Sequence, residues 1–224
     1  VAICPNKCEC KGHCMDCTDM NMTIFPPISL QQRAVIFNGN HMNLWKKSTK
    51  HHNFVFRLDI GRNFIHEIQV RSFIHFNVLK ELIISYNYIT SLKGHTLLGL
   101  MSLTCLILTG NPLYIIRYLS FMGLFSLKEI NLQRLAINIL EPGAFTGLTK
   151  VEMLDISQNI LKRITNGTFR GLSYIQFVNL SKNSLVQSEF KILMWLKNIR
   201  FFYSDHFHFC CFDLSAEVCS PDPE

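Results

Sequence analysis

The stretch that decides the fold is residues 151–174, which read VEMLDISQNILKRITNGTFRGLSY. Apolar residues stand at Val151, Leu154, Ile156 and Leu161, and the polar residue Asn159 precedes the last of them by two positions. The same pattern opens again every 24 residues along the chain. Its opening positions are Val55, Leu79, Leu103, Leu127, Val151, Ile175 and Ile199. A spacing this constant indicates an internal repeat.

The pattern is the L-x-x-L-x-L-x-x-N-x-L signature of leucine-rich repeats, whose period is about 20–29 residues. A less regular copy, with Val35, Phe37, Asn40 and Met42, precedes the regular ones. The sequence therefore predicts an α/β leucine-rich-repeat solenoid, which is a curved right-handed stack with a parallel concave β-sheet and disulfide-bonded end caps. We expect three regions: a cysteine-rich N-terminal cap over 1–31, repeats over 32–198, and the last strand and start of a C-terminal cap or hinge over 199–224.

Two columns of residues explain how such a stack closes its core. Leu154 and Ile156 point the same way because side chains alternate along a strand, and stacked strands then share one apolar core. An apolar column closes the opposite wall at Phe73, Leu97, Phe121, Phe145, Phe169 and Leu193. An asparagine column can bond backbone groups at the turns through Asn40, Asn63, Asn87, Asn111, Asn159 and Asn183. Leu135 replaces this asparagine in one repeat, where we expect a looser turn.

Composition excludes several classes of protein. Hydrophobic residues make up 48% of the chain and charged residues 17%, which excludes a disordered chain. Two Trp and eleven Gly argue against a carbohydrate-binding protein and a Gly-rich nucleotide-binding protein. No apolar run approaches the ~20 residues that cross a bilayer. The chain begins at Val1 without a signal-like segment, so we expect a mature or excised piece.

The nine cysteines are concentrated at the two ends of the chain. The front cluster is Cys4, Cys8, Cys10, Cys14 and Cys17, the rear cluster is Cys210, Cys211 and Cys219, and Cys105 lies between them. This arrangement predicts caps closed by disulfides, and hence an oxidising compartment. Metal binding is the alternative for the front cluster and for His206, His208 and Cys210 at the rear. Three N-x-S/T sequons agree with secretion, at Asn21, Asn166 and Asn179.

The alternation of strand side chains also identifies the residues that face outward, two, four and six positions after each opening residue. Their charged members are Arg57 against Asp59, Glu81, Glu129, Asp155 and Asp205, a sum of −4 in a chain of net charge +6. The positions one and seven after the opening residue carry Arg62, Lys80, Lys128, Arg134, Lys182 and Arg200 against Glu152, a sum of +5. An acidic stripe between basic rims indicates a surface that recognises cationic and apolar groups. Charges that only pair across strands are the alternative.

Catalysis and nucleic-acid binding are poorly supported by the sequence. The nine His and sixteen acidic residues form no Ser-His-Asp, metal or phosphate-loop arrangement, so we expect no enzyme and no cofactor. The pI of about 8.9 suggests nucleic acid, but the basic residues are dispersed. The cluster Lys46, Lys47 and Lys50 beside Trp45 is instead a candidate patch for a sulfated polysaccharide.

Both ends of the chain resemble known extracellular proteins. The sequence Cys4-Pro5-x-x-Cys8-x-Cys10 followed by Cys17 resembles the N-terminal cap of extracellular leucine-rich-repeat proteins, and this resemblance implies Cys4–Cys10 and Cys8–Cys17 bridges. The segment from Ile199 to Cys210, then eight residues to Cys219, resembles the last strand and hinge of leucine-rich-repeat G-protein-coupled receptors. Among them it is most similar to the relaxin-family peptide receptors, which implies a bridge between Cys210 and Cys219. The doubled Cys210-Cys211 resembles the glycoprotein-hormone receptor branch instead.

The resemblance also implies where a ligand binds. Relaxin-like hormones present arginines to paired carboxylates within one strand of the receptor sheet, but no strand here carries both carboxylates. Asp59 and Glu81 do lie on adjacent strands, as do Glu129 and Asp155, so each pair can form one acidic spot, and the two spots lie roughly 14 Å apart. We expect these four residues to bind cations, with apolar contacts from Ile83, Ile107, Phe177, Phe201 and Tyr203. A glycan at Asn179 would obstruct this face, and Cys105 also points outward from it.

These observations predict the extracellular ligand-binding domain of a receptor at the outer face of the plasma membrane. Its expected partner is a peptide or protein hormone, such as a basic relaxin- or insulin-like peptide, bound on the concave sheet. The resemblance implies that a hinge and seven membrane helices follow Glu224 and pass the signal on. The alternative is a secreted or single-pass adhesion or matrix-binding protein that also binds glycosaminoglycan.

Overall fold

The computed structural model describes residues 4–46, 52–188, 194–205 and 218–220. In this part of the chain the short strands are, in chain order, β1 (Glu9–Lys11), β2 (Cys14–Asp16), β3 (Ala34–Ile36), β4 (Leu44–Trp45), β5 (Arg57–Asp59), β6 (Glu67–Ile68), β7 (Glu81–Ile83), β8 (Cys105–Ile107), β9 (Ile115–Ile116), β10 (Glu129–Asn131), β11 (Ile139–Leu140), β12 (Met153–Asp155), β13 (Arg163–Ile164), β14 (Phe177–Asn179), β15 (Gln187–Ser188), β16 (Phe201–Tyr203) and β17 (Val218–Ser220). No α-helix occurs among the described residues, so none of them forms a helix that spans a membrane.

One sheet of eleven strands runs the length of the stack in the order β1-β2-β3-β5-β7-β8-β10-β12-β14-β16-β17. Three two-stranded sheets, β4-β6, β9-β11 and β13-β15, lie outside it. In the large sheet, β10 and β12 are parallel and pair Glu129 with Met153. Likewise, β5 and β7 pair Arg57 with Glu81. Because paired residues hold the same place in their repeats, equivalent side chains form straight rows across the sheet.

The core lies between this sheet and a wall of turns. Phe73, Phe121, Phe145 and Phe169 are fully buried in that wall, as the repeat predicts. The rings of Phe121 and Phe145 stack with centroids 6.1 Å apart, and those of Phe145 and Phe169 stack at 6.2 Å. Each repeat therefore completes its core only by contact with the next repeat. The predicted leucine-rich-repeat solenoid is confirmed; Leu193, which would continue the column, lies outside the described residues.

The asparagine column bonds the turns of neighbouring repeats. The Asn87 side-chain amide donates to the Ile60 carbonyl of the preceding repeat at 3.0 Å and to the Ile84 carbonyl of its own at 3.1 Å. Its Oδ1 atom accepts a hydrogen bond of 3.0 Å from the Ile65 N–H. The same kinds of bond are made by Asn40, Asn63, Asn111, Asn159 and Asn183. These amides satisfy backbone groups that the turns bury.

The turn at Leu135 is rearranged because leucine, unlike asparagine, has no side-chain amide that can bond the backbone. In the preceding repeat the Leu113 N–H donates to the Asn111 carbonyl at 2.9 Å, whereas the equivalent N–H groups of other repeats donate to the next asparagine side chain. Ala136 adopts a left-handed conformation with φ of 55°. The Leu135 N–H finds an acceptor in the next repeat, the Oδ1 atom of Asn159, at 3.0 Å. The expected looser turn is thus a turn with a different set of hydrogen bonds.

The N-terminal cap is an antiparallel hairpin of β1 and β2, with β2 parallel to β3. Disulfides join Cys4 to Cys10 and Cys8 to Cys17, so both pairings implied by the resemblance are confirmed. Cys14 is free and half-buried. No group of three or more His, Cys, Asp or Glu residues in the described segments is placed to hold a metal ion.

At the other end, β17 pairs in parallel with β16 and places the Cys219 backbone beside Phe202. The expected Cys210–Cys219 bridge cannot be placed, because Cys210 and the side chain of Cys219 lie outside the described part of the structure. Cys211, His206 and His208 lie outside it too.

Candidate functional site

The candidate site is the outward side of the eleven-stranded sheet, which we call the sheet face. It consists of two rows of side chains. The first row is Arg57, Glu81, Cys105, Glu129, Met153, Phe177 and Phe201. The second row is Asp59, Ile83, Ile107, Asn131, Asp155, Asn179 and Tyr203. The middle residue of each of these strands is buried, so the outward register predicted from the repeat is correct.

Glu81 is not a free carboxylate. It forms a salt bridge with Arg57, which stands directly opposite it on the neighbouring strand β5. One member of the expected acidic spot of Asp59 and Glu81 is therefore already paired with a cation of the chain. The sequence contained the signal, since Arg57 and Glu81 hold the same position in successive repeats.

Asp59 and Asp155 hold backbone turns. The Oδ1 atom of Asp59 accepts a hydrogen bond of 2.9 Å from the Gly61 N–H, and the Asp155 Oδ1 accepts one of 2.9 Å from the Ser157 N–H. The second Asp155 oxygen accepts from the Gln133 side chain at 2.5 Å. An Asp or Asn side chain commonly accepts from the backbone two residues further on. Asp59 and Asp155, which the charge pattern predicts as cation-binding residues, thus also have a structural role.

Asn131 and Asn179 occupy the same row and make the same bond. The Asn131 Oδ1 accepts from the Gln133 N–H at 3.0 Å, and the Asn179 Oδ1 accepts from the Ser181 N–H at 3.0 Å. The recurrence of Asp or Asn at this position, four residues after the opening residue, is the sequence signal that identifies the turn. In the second row, Asp59 and Asp155 are therefore charged members of a column of Asp and Asn residues whose side chains all accept from a turn N–H.

Glu129 is the acidic member of the first row that keeps an available carboxylate. Its side chain is exposed, and it has no hydrogen bond or ion pair with the residues described in the structure. It lies between Cys105 on β8 and Met153 on β12. Of the four predicted cation-binding carboxylates, Glu129 is therefore the one that neither pairs with a cation nor holds a turn among the described residues.

An apolar surface adjoins Glu129 toward the C-terminal end of the sheet face. Met153 is 42% exposed, and Phe177 and Phe201 follow it as half-exposed side chains in the same row. The Phe177 and Tyr203 rings are in contact, with centroids 5.4 Å apart. The Arg200 guanidinium lies over the Phe201 ring at 5.6 Å from its centroid. Ile83 and Ile107 are also half-exposed, but on the other side of Glu129, beside the Arg57–Glu81 pair.

Cys105 is a free, half-buried thiol at the middle of the first row. Burial raises the pKa of the Cys105 thiol, the Glu129 and Glu81 carboxylates raise it further, and Arg57 lowers it. The thiolate is the nucleophilic form of cysteine, so this environment makes Cys105 less reactive than an ordinary thiol.

Two of the rim charges pair with each other, since Lys128 contacts Glu152 at 3.2 Å. On the sheet face itself, Arg57–Glu81 is the one salt bridge found among the described residues. Cross-strand pairing therefore explains part of the charge pattern, and turn formation by Asp59 and Asp155 explains another part.

The three sequons differ in accessibility. Asn21 and Asn166 are exposed and lie away from the sheet face, in the N-terminal cap and in a turn on the opposite wall. Asn179 is only 8% exposed, and its Oδ1 also accepts from the Ser181 hydroxyl at 2.6 Å. Of the lysine cluster, Lys46 is exposed, whereas Lys47 and Lys50 lie outside the described residues.

The chain belongs to the leucine-rich-repeat family. The family profile described as "Leucine rich repeat" matches residues 56–113 and 125–185, which together exceed half of the chain. A search of curated proteins found no match.

Two solved structures are similar to this chain. A chain of the TLR13–ssRNA13 complex aligns with a TM-score of 0.73 and 27% sequence identity. The alignment covers 81% of the chain described here and 27% of that chain. Human 5T4 (Wnt-activated inhibitory factor 1, trophoblast glycoprotein) aligns with a TM-score of 0.73 and 22% identity, over 92% of this chain and 81% of its own. The second likeness shows the fold alone.

Proposed function

We propose that this chain is the ligand-binding part of an extracellular receptor and that it recognises a peptide or protein on the sheet face. The observation that carries the proposal is the position of Glu129, a free carboxylate next to the exposed apolar side chain of Met153. A charged group beside an apolar surface suits a partner that presents a cation next to apolar side chains.

The C-terminal half of the sheet face supplies the apolar part of the proposed site. Met153, Phe177 and Phe201 stand in one row on neighbouring strands, and the Phe177 ring contacts Tyr203. Aromatic side chains that are partly ordered before binding lose little conformational entropy when a partner covers them. The N-terminal half, with Arg57 and Glu81 already paired, contributes less.

We further propose that the partner is a basic peptide hormone of the relaxin or insulin-like class and that a seven-helix membrane domain completes the receptor. The resemblance of the segment from Ile199 to Cys219 to relaxin-family peptide receptors supports this step. The disulfide-bonded cap supports the extracellular location, because disulfides persist in oxidising compartments. In this proposal Glu129 receives an arginine of the hormone, and Asp155 adds negative charge one strand further along.

The experiment measures binding of a relaxin-family peptide to the secreted chain by surface plasmon resonance. Glu129→Gln and Met153→Ser change exposed groups, so both variants should fold and each should weaken binding about tenfold. Glu67→Gln is the matched control, since Glu67 is an exposed carboxylate paired with Lys93 away from the sheet face. If the peptide does not bind, the hormone assignment is wrong. If it binds but both variants bind like the unmodified chain, the sheet face is the wrong site.

A further inference from the structure

A second surface of the solenoid carries exposed aromatic residues that the sheet-face proposal does not use. It follows the large sheet in each repeat, at positions seven, nine and eleven after the opening residue. We call it the aromatic flank and define it by Arg62, Phe64, Tyr86 and Tyr88. Phe64 is 47% exposed, Tyr86 50% and Tyr88 56%. The alternate residues Asn63, Ile65, Asn87 and Ile89 are buried, which turns their neighbours outward.

Contacts within the flank hold these side chains in place. The Phe64 and Tyr88 rings stack with centroids 5.9 Å apart and planes inclined by 7°. The His41 ring meets Phe64 from the preceding repeat at 5.4 Å. The Arg62 guanidinium lies over the Tyr86 ring at 5.9 Å. Ordered, half-exposed aromatic residues are typical of the centre of protein interfaces, because little entropy is lost on binding.

The backbone at Gly110 also serves this arrangement. A Cβ atom at Gly110 would stand 2.6 Å from Cδ1 of Tyr86, and the residue has a φ of 78°. The missing side chain lets the Tyr86 ring lie against the next repeat. Tyr86 therefore has the Gly110 backbone and the Arg62 guanidinium against its ring.

The charge of this surface selects the partner. Arg62 is an exposed cation within the flank, and positions seven, nine and eleven of the repeats from residue 32 to 186 carry no acidic residue. The same positions further along the solenoid carry the exposed cations Arg134, Lys162 and Lys182. Neither the Tyr86 nor the Tyr88 hydroxyl has a hydrogen-bond partner among the described residues, so both remain available as donors. Cations and hydroxyl donors complement carboxylates.

The ring contacts favour a protein partner over a single-stranded nucleic acid, because they already occupy several of the aromatic faces. Bases bind single-stranded-nucleic-acid proteins by stacking on open aromatic faces. Here Phe64 and Tyr88 cover one face of each other, His41 meets Phe64, and Tyr86 is occupied by Arg62. The exposed ring edges carry partial positive charge and suit carboxylate oxygens.

We infer that the aromatic flank is a docking surface for a partner protein that presents an acidic segment containing apolar or aromatic side chains. The acidic groups meet Arg62 and the tyrosine hydroxyls, and the apolar groups pack against Phe64 and Tyr88. Because this surface is separate from the sheet face, the inference does not depend on the proposed receptor function.

The test uses a random copolymer of glutamate and tyrosine, immobilised for biolayer interferometry, with polyglutamate, heparin and polyuridine as competitors. The unmodified chain should bind the copolymer more tightly than polyglutamate. Phe64→Ser with Tyr88→Ser, and separately Arg62→Ser, should each weaken binding about tenfold. The matched control is Tyr174→Ser, because Tyr174 is 63% exposed on a turn outside the flank. Thermal unfolding of each variant confirms that it is folded.

The outcomes separate the possible sources of binding. Loss of binding in the flank variants, with Tyr174→Ser and Glu129→Gln unchanged, supports the inference. Equal binding of copolymer and polyglutamate, or no effect of the flank variants, overturns it. Stronger binding of heparin or polyuridine that depends on the same residues also overturns it, since the partner would then be a polysaccharide or a nucleic acid. Because Asn21 lies beside this end of the flank, where the His41 N–H donates to the Met22 carbonyl at 2.8 Å, binding must also persist after removal of N-glycans.

Discussion

The Oδ1 atom of Asp155 accepts a hydrogen bond of 2.9 Å from the backbone N–H of Ser157, two residues further along the chain. Ser157 is only 2% exposed, so water cannot replace this acceptor easily. A residue expected to attract a ligand thus has a structural role as well. The two roles can be separated, because an asparagine keeps the oxygen and loses the charge.

We expect Asp155→Ala to lower the free energy of unfolding by about 1–3 kcal/mol, the cost of leaving a buried N–H without a partner. Asp155→Asn should cost less than half of that, because its Oδ1 can make the same bond. Urea unfolding followed by circular dichroism measures both. Equal losses for the two variants would show that the charge, and not the turn, stabilises this strand end.

Asn159 should be more important for stability than the other members of its column. Its Oδ1 accepts from the backbone N–H groups of both Leu135 and Ile137, each at 3.0 Å. Leu135 itself has no side-chain amide with which to bond the turn. Asn159→Ala should therefore destabilise the chain by about 3 kcal/mol, and by more than Asn183→Ala, whose hydrogen bonds are only partly buried. Asn138→Ala is the control on an exposed position, with an expected change within about 0.5 kcal/mol.

The rearranged turn at Leu135 offers a stabilising substitution. Ala136 has a φ of 55°, a region in which a Cβ atom costs roughly 1–2 kcal/mol. Ala136→Gly removes that cost but gives the unfolded chain more freedom, so a net gain of about 0.5 kcal/mol is expected. Ala34→Gly, in strand β3 with ordinary backbone angles, should instead lower stability. A loss of stability in both variants would contradict this account of the turn.

Alkylation of Cys105 should show a pH profile displaced to higher pH than that of a free cysteine peptide. Its pKa is raised by burial and by the Glu129 and Glu81 carboxylates, so the reactive thiolate forms only at higher pH. Glu129→Gln should move the profile to lower pH, and Arg57→Ala should move it to higher pH. Mass spectrometry of the Cys105 peptide after timed iodoacetamide treatment measures each rate. Opposite displacements would mean that neighbouring charges do not control the thiol.

Glycosylation should differ among the three sequons. Asn179 is 8% exposed and its side-chain oxygen is bonded to Ser181, so we expect it to be unoccupied in the folded, secreted chain. Asn21 and Asn166 are exposed and should accept glycans. Peptide mapping with and without peptide N-glycosidase tests this. Detection of a glycan at Asn179 would place a large group on the sheet face and contradict ligand binding beside Phe177.

The sequence by itself determined the solenoid, its outward register and the asparagine column. A period of 24 residues forces equivalent positions to stack, so Leu154, Phe169 and Asn159 can each be placed without coordinates. The disulfides of the N-terminal cap followed from resemblance. The residue types alone were sufficient to place these side chains, because every repeat imposes the same local environment.

Only the tertiary structure decided what each outward side chain does. Arg57 pairs with Glu81, Asp155 holds a turn, and Glu129 remains available, although all three are charged residues facing the same way. The stacking of Phe64 on Tyr88 likewise appears only when neighbouring turns are in place. The physical reason is that the repeat fixes where a side chain points, whereas its charge and accessibility depend on the particular neighbours one strand away.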